Sequence, residues 1–146
     1  MSGVSIRVEI ADNGIRAKLT ALIALGRNPS GAMRDIATYG ESSTRERFRM
    51  QIGPDGNRWK PSLRVQLNGG KTLTKDGHLS GSITSRSSSK FAEWGSNRIY
   101  AAIHQLGGNA GRGLRSKIVP RPYLGVNDEN DSDILDILQA RIEGAK

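Results

Sequence analysis

The chain has 146 residues, enough for one domain with its own core, and no cysteine, which excludes disulfide frameworks, thiol nucleophiles and cysteine-based zinc sites. Leu, Ile, Val and Phe number only 32 of the 146 residues, so the core is expected to be thin. The net charge of +8 is unevenly placed: residues 58–121 hold 12 basic and 2 acidic side chains, while residues 127–146 hold 6 acidic and 2 basic ones. Such a split suits nucleic acid, and it equally suits copies of one chain meeting opposite ends together. No apolar run approaches the ~18 residues of a membrane span, and the start lacks the pattern of a signal peptide, so a soluble protein with no membrane partner is expected.

Val4, Ile6, Val8 and Ile10 alternate with polar residues, the period of a half-buried strand. Asp12 or Asn13 is placed to cap a short amphipathic helix on which Ile15, Leu19, Leu22 and Ile23 share a face and which Gly26 stops. Asn28-Pro29-Ser30 then opens a longer helix with Met33, Ile36, Ala37, Gly40, Thr44, Phe48 and Ile52 on one stripe. Its outer face, with Arg34, Asp35, Glu41, Arg45, Glu46 and Arg49, reads as a solvated surface of mixed sign. From Gly53 to Thr74 the turn residues predict a long loop, ordered by Trp59, a large aromatic that serves as an anchor onto the domain.

Ile83 to Arg86 and Phe91 to Trp94 are short β-compatible runs across a Ser-rich tract and predict a hairpin. The run Ile99 to Gly107 is too short for periodicity to choose between helix and strand. Residues 109–117, glycine-rich with Arg112, Arg115 and Lys117, predict a flexible basic loop able to bind phosphates or a neighbour's carboxylates by charge. Pro120 and Pro122 hold Ile118 to Val126 extended. Asp131 or Ser132 caps a last helix with Ile134, Leu135, Leu138 and Ile142 on one face and acidic residues at its positive end.

Chemistry-bearing constellations are sparse. The two histidines, His78 and His104, have only Asp76 and Glu93 as nearby carboxylates, so no metal site is expected. No nucleophile stands at a telling spacing from a base, so no catalytic residue is assigned and no cofactor is expected. His104 is read as a structural ring packed beside Tyr100 and hydrogen-bonded to backbone. The glycines around Arg112 lack the strand and helix context of a phosphate-binding loop. The seven aromatic residues are not interleaved with the basic ones, and neither a helix-turn-helix nor a basic zipper is present, which argues against sequence-specific DNA reading.

Four segments in order carry a resemblance: Phe48 followed by Gly56 to Leu63, then Leu73 to Ile83, Tyr100 to Gly107, and Ile118 to Gly125 ahead of the final helix. Over roughly residues 44–142 the chain resembles the phage virion morphogenesis family, the tail-completion proteins of Mu-like and related tailed phages. The specific pieces are Tyr-Ala-x-Ile-His from Tyr100 and Arg-Pro-x-Leu-Gly from Arg121. Leu106 and Tyr123 stand where phenylalanine is usual, and Val119 is inserted between Ile118 and Pro120. The resemblance implies a single non-enzymatic α+β domain over residues 1–146: a small antiparallel sheet packed against a long helix, with N- and C-terminal helices and long loops. It further implies a virion subunit at the head–tail joint, forming a six-fold ring with itself at the tail terminus, against tail-tube and neck proteins, with DNA passing through the lumen. In such a ring Arg121 and Pro122, with the basic loop of Arg112, Arg115 and Lys117, are expected at the subunit interface, Arg121 forking onto a carboxylate of the same or the next subunit. The competing expectation, carried by the sequence pI of about 10.3, is a small basic nucleic-acid-binding module.

Overall fold

The computed structural model describes residues 4–8, 14–74, 78–98, 100–110, 113 and 116–144, with backbone alone at 4–8, 78, 110 and 116. Strand β1 (Val4–Val8) is followed by helices α1 (Ile15–Ala24), α2 (Ser30–Met50), α3 (Leu63–Asn68) and α4 (His78–Gly81). The hairpin β2 (Thr84–Ser87) and β3 (Ala92–Ser96), helix α5 (Ala101–Leu106), the ladder β4 (Gly108–Ala110) and β5 (Ser116–Ile118), and helix α6 (Asp128–Gly144) complete an α+β fold.

The main sheet has the order β1-β3-β2, antiparallel throughout. Its register sets Val4, Ile6 and Val8 opposite Ser96, Trp94 and Ala92, which lie on the buried face of β3. That face packs on α2, where Trp94 lies over Gly40: a Cβ at residue 40 would stand 2.1 Å from the indole. Another flank of α2 is covered by α6, which runs antiparallel to it: Asn130 lies beside Tyr39 and Ser43, Asp133 bonds Tyr39, and Arg141 reaches Asp35. Helix α1 lies along α6, with Lys18 bonded to Gln139. The long helix is therefore the spine of the domain. Met33, Ile36, Ala37, Gly40, Thr44 and Phe48 are all buried, as the stripe on its sequence requires.

Several elements differ from the sequence reading. Ile23 is 56% exposed, off the buried face that Ile15 and Leu22 form. Helix α2 ends at Met50, before Ile52, because Gln51 takes a left-handed conformation at φ 61°. That cost, ordinarily met by glycine, is offset by its own amide, which accepts from Thr72 N at 2.7 Å and donates to Phe48 O and Thr72 O. The stretch 53–74 contains α3, capped by the Ser62 side chain accepting from Val65 N. The undecided run after residue 99 is helical at α5. Residues 109–117 are less loop than expected, since both ends are paired in the β4–β5 ladder; Arg112 and Arg115 lie outside the described residues. So do Asp12 and Asn13, the expected caps of α1. Helix α6 starts at Asp128, its cap being Asn127 instead of Asp131 or Ser132: Asn127 Oδ1 accepts from Asn130 N, and Asn130 Oδ1 accepts from Asn127 N, a reciprocal capping box.

Candidate functional site

The motif segments meet in space. Residues 119–127 form an extended strap laid across the end of α2, and the two prolines that forbid helix there also leave its carbonyls free to be gripped from outside. Trp59, buried among apolar neighbours, donates from Nε1 to Pro122 O at 2.8 Å and meets the Phe48 ring edge-on at a centroid distance of 5.4 Å. The Tyr123 ring also packs on Phe48, at a centroid distance of 5.1 Å, and its hydroxyl donates to Ala101 O at 2.6 Å. Burial drives the Tyr123 phenol well above its ordinary range, so it stays a neutral donor.

Gln105 is the clamp between α5 and the strap. Its Oε1 accepts from both Tyr123 N and Leu124 N at 3.0 Å, and its Nε2 donates to Leu124 O at 2.9 Å. Three backbone groups that would otherwise be orphaned are satisfied by one side chain. At the end of α5, Gly107 turns at φ 76°, where a Cβ would stand 2.7 Å from Pro120 Cδ, so glycine is required both by conformation and by space. Arg121 N then bonds His104 O at 2.8 Å.

Two buried guanidiniums hold the strap from below and from the side. Arg47, on α2, donates to Tyr123 O at 2.8 Å and to Asn130 Oδ1 at 2.7 Å. Asn130 passes the network on to Tyr39 OH at 2.8 Å, and Tyr39 donates to Asp133 Oδ2 at 2.7 Å. Burial pushes the Tyr39 phenol up to about 12. Arg121 donates from Nε to Lys60 O at 2.6 Å and from Nη1 to Val119 O at 3.5 Å. Burial lowers the proton affinity of both guanidiniums from the ordinary arginine range. In each case carbonyl dipoles supply much of the counter-charge.

The expected carboxylate partner of Arg121 is thus replaced within the chain by backbone oxygens: the side chain is 8% exposed and turned inward, where it joins the strap to the Trp59 segment. Pro122 is exposed beside it, and Lys117 is exposed on β5. His104 stands 6.1 Å from Tyr100 in an edge-on contact, but its buried Nδ1 has no hydrogen-bond partner among the described residues, contrary to the expected backbone bond. Burial, and secondarily the charge of Arg121, lower its proton affinity. Arg47, Gln105 and Asn130 were not singled out in the sequence; the one available signal was Arg47 lying within an otherwise apolar helical stripe.

On the sheet side of α2, Arg45, Arg49 and Lys71 line a cleft of about 360 Å³ with Thr74 and Ser80. Arg45 pairs with Glu41 and donates to Ile83 O, Arg49 pairs with Glu46, and Lys71 donates to Arg49 O. Among the described residues no group of three His, Asp or Glu stands close enough to hold a metal ion, and no helix is long and apolar enough to cross a membrane.

A long spine helix, a small sheet and a strap locked by motif residues describe a protein whose recurrent sequence segments serve architecture, and in sequence the chain falls among phage assembly proteins. It belongs to the phage virion morphogenesis family, whose profile matches residues 10–143 and so takes in α1 as well as the motifs that begin near residue 44. The chain is 34% identical over 135 residues to "Mu-like prophage FluMu G protein 2" of Haemophilus influenzae, covering 90% of this chain and 94% of that one. It is 37% identical over 114 residues to "Putative capsid assembly protein G" of Escherichia phage Mu, covering 71% of this chain and 73% of that one. No solved structure gives a significant match.

Proposed function

We propose that the chain is a non-catalytic structural subunit of the phage head–tail joint, which completes the tail by assembling with copies of itself into a ring between the tail tube and the neck. The carrying observation is the strap. The residues that bear the family resemblance, Trp59, Gln105, Gly107 and Arg121, are spent on holding the strap and its neighbours together and present no reactive constellation. Residues committed to rigid architecture suit a subunit selected for fit to its neighbours. The segregated charge supports a head-to-tail contact, each subunit offering a basic side to the next one's acidic side.

The test is a phage from which the gene is deleted, viewed by electron microscopy with and without the chain supplied in trans. Separate heads and unfinished tails, restored to joined virions by the chain, are the expected result. Joined virions without the chain overturn the reading, and so do particles arrested as empty heads with no tails. A second reading, non-sequence-specific binding of nucleic acid, is favoured by the cationic cleft of Arg45, Arg49 and Lys71. Binding by that charge alone should weaken with salt at a slope of about −0.9 in log K per phosphate contacted. Tight binding to one duplex sequence at physiological salt would reverse the order of the two readings.

A further inference from the structure

The excursion that carries α3 is anchored in the core at both ends and adds nothing to it between them. Trp59 and Thr72 are buried, Leu73 packs against the core, and Ser62 N donates to Thr72 Oγ1 at 3.1 Å to close the neck. Leu73 stands at φ 63°, a left-handed conformation that costs a leucine free energy and points to a loop held for a purpose. Helix α3 itself has six residues and buries none of their side chains. Helices this short draw their stability from packing, yet this one is held by polar tethers alone. Arg64 Nη2 donates to Lys71 O at 2.6 Å, Gln66 Nε2 to Pro61 O at 3.0 Å, Lys71 Nζ to Arg49 O at 3.3 Å and Arg121 Nε to Lys60 O at 2.6 Å. What the tethers hold out is apolar: Leu63 and Leu67, four residues apart and so on one helical face, are 70% and 72% exposed.

The surroundings of this face carry one sign of charge. Residues 56–74 contain no carboxylate and four cations, Arg58, Lys60, Arg64 and Lys71. The elements bonded to the excursion bring two more, Arg49 and Arg121, and the only carboxylate to come with them is Glu46, the ion-pair partner of Arg49. Single exposed leucines are ordinary on a surface, but a pair presented on a tethered helix among cations calls for an apolar surface edged with carboxylates. Among the described residues the chain does not offer that surface to a second copy. Ile23 and Leu25 stand at a corner with Arg27, Arg34 and Arg141, and Met50 stands with the paired Arg49 and Glu46. Tyr100 and Leu106 lie on α5, to which Arg121 is bonded. Only Val126, 39% exposed, stands beside carboxylates, Asp128 and Glu129, and one half-exposed valine does not cover two leucines.

We propose that the α3 face, Leu63 and Leu67 rimmed by Lys60 and Arg64, docks an acidic, apolar surface of a different virion protein. The leucines form the dry centre of the contact and the cations its polar rim. Because the tethers fix α3 before the partner arrives, little ordering remains to be done on binding. The inference deepens the proposed function by giving the subunit a face for an unlike neighbour, apart from any contact among its own copies, and it rests on that reading for the neighbour being a virion protein.

The test supplies variant chains in trans to the gene-deleted phage. Leu67→Asp changes a side chain the fold does not use, and Lys60→Glu spares the backbone carbonyl that Arg121 grips. Each should cut the yield of joined virions by about tenfold or more, with self-association in sedimentation and the circular dichroism spectrum unchanged from the parent. The sequence has no cysteine, so Leu67→Cys can carry a single thiol-attached photocross-linker. In purified virions that probe should mark a chain other than this one, at a peptide holding Asp or Glu beside apolar residues. A cross-link to a second copy or to DNA, or none at all, overturns the proposal; so do full complementation by Leu67→Asp and a loss of its self-association. In each of these cases the head–tail reading stands so long as deletion alone leaves heads and tails unjoined. If deletion leaves virions joined, that reading falls, and the cross-link in virions that carry the chain still decides the docking face.

Discussion

Trp59 is asked to do two things at once, to fill the space beside Phe48 and to cap Pro122 O, and the two are separable by mutation. Trp59→Ala removes both and is expected to cost ~3–5 kcal/mol in denaturant unfolding, the range for losing a buried aromatic side chain. Trp59→Phe keeps the ring contact and leaves the carbonyl unpaired, for about 1–3 kcal/mol. If the two variants melt with the parent, the segment is not anchored there. His104 gives a prediction in pH. Its folded-state proton affinity lies below the ordinary imidazole value of 6.5, chiefly through burial and then through Arg121, so the folded chain holds it neutral. Above that value both folded and unfolded chains are unprotonated at this site and its contribution is complete. As pH falls below it the unfolded chain takes up a proton more readily, and stability is lost as pH drops through the depressed folded value. The urea midpoint should therefore fall on acidification from about pH 7 to about pH 5, and His104→Gln should fall less steeply. Equal slopes for the two proteins would place the sensitivity elsewhere.

At the level of elements, the α2–sheet contact turns on a glycine. Gly40→Ala would gain roughly 1 kcal/mol of helix propensity in isolation, but its Cβ has no room beneath Trp94, and overpacking of this kind costs ~1–3 kcal/mol or more. Net destabilisation is expected in a thermal melt, while Thr38→Ala, on the exposed side of the same helix, stays near the parent. A stabilised Gly40→Ala chain would mean that the sheet does not close on α2 as described. How legible each element is in the sequence follows from how it buries itself. The β1 alternation in sequence, the α2 stripe and the Ile134–Leu138 face of α6 each follow the period of their element, and each can be read directly. Helix α3 repeats nothing, because its six residues bury no side chain and only the Ser62 cap marks it. The start of α6 is hidden because its first turn is all polar and its apolar face begins only at Ile134. The β4–β5 ladder joins two three-residue strands, too short for any alternation to announce them. In the site, Trp59 and Arg121 draw the eye as an isolated aromatic and a charge beside proline. Gln105 and Asn130 do not, because a polar side chain becomes a clamp only when a backbone segment distant in sequence arrives to be held.

For the whole molecule, the organising fact is that burial and charge are both left incomplete. The core is drawn from a small apolar complement, Ile23, Leu25, Leu63, Leu67 and Leu106 are more than half exposed, and the carboxylates Asp128, Glu129 and Asp136 make no ion pair with residues 58–121 among the described residues. In a lone subunit this leaves apolar area in water and like charges gathered together, both of which lower stability. Association that covers these side chains adds free energy available only to the folded state, because the unfolded chain has no such surface to offer. Apparent stability must then depend on concentration: at a hundredfold excess over the dissociation constant the gain is about 2.7 kcal/mol. For a chain of this length that amounts to a rise of about 5–10 °C in Tm. Scanning calorimetry across a wide range of subunit concentration should show this rise. Because the contact is partly ionic, the rise should shrink as salt shortens the reach of the charges. A Tm that stays constant across that range would show a subunit complete in itself, whose exposed leucines and segregated charges answer to some partner other than its own copies.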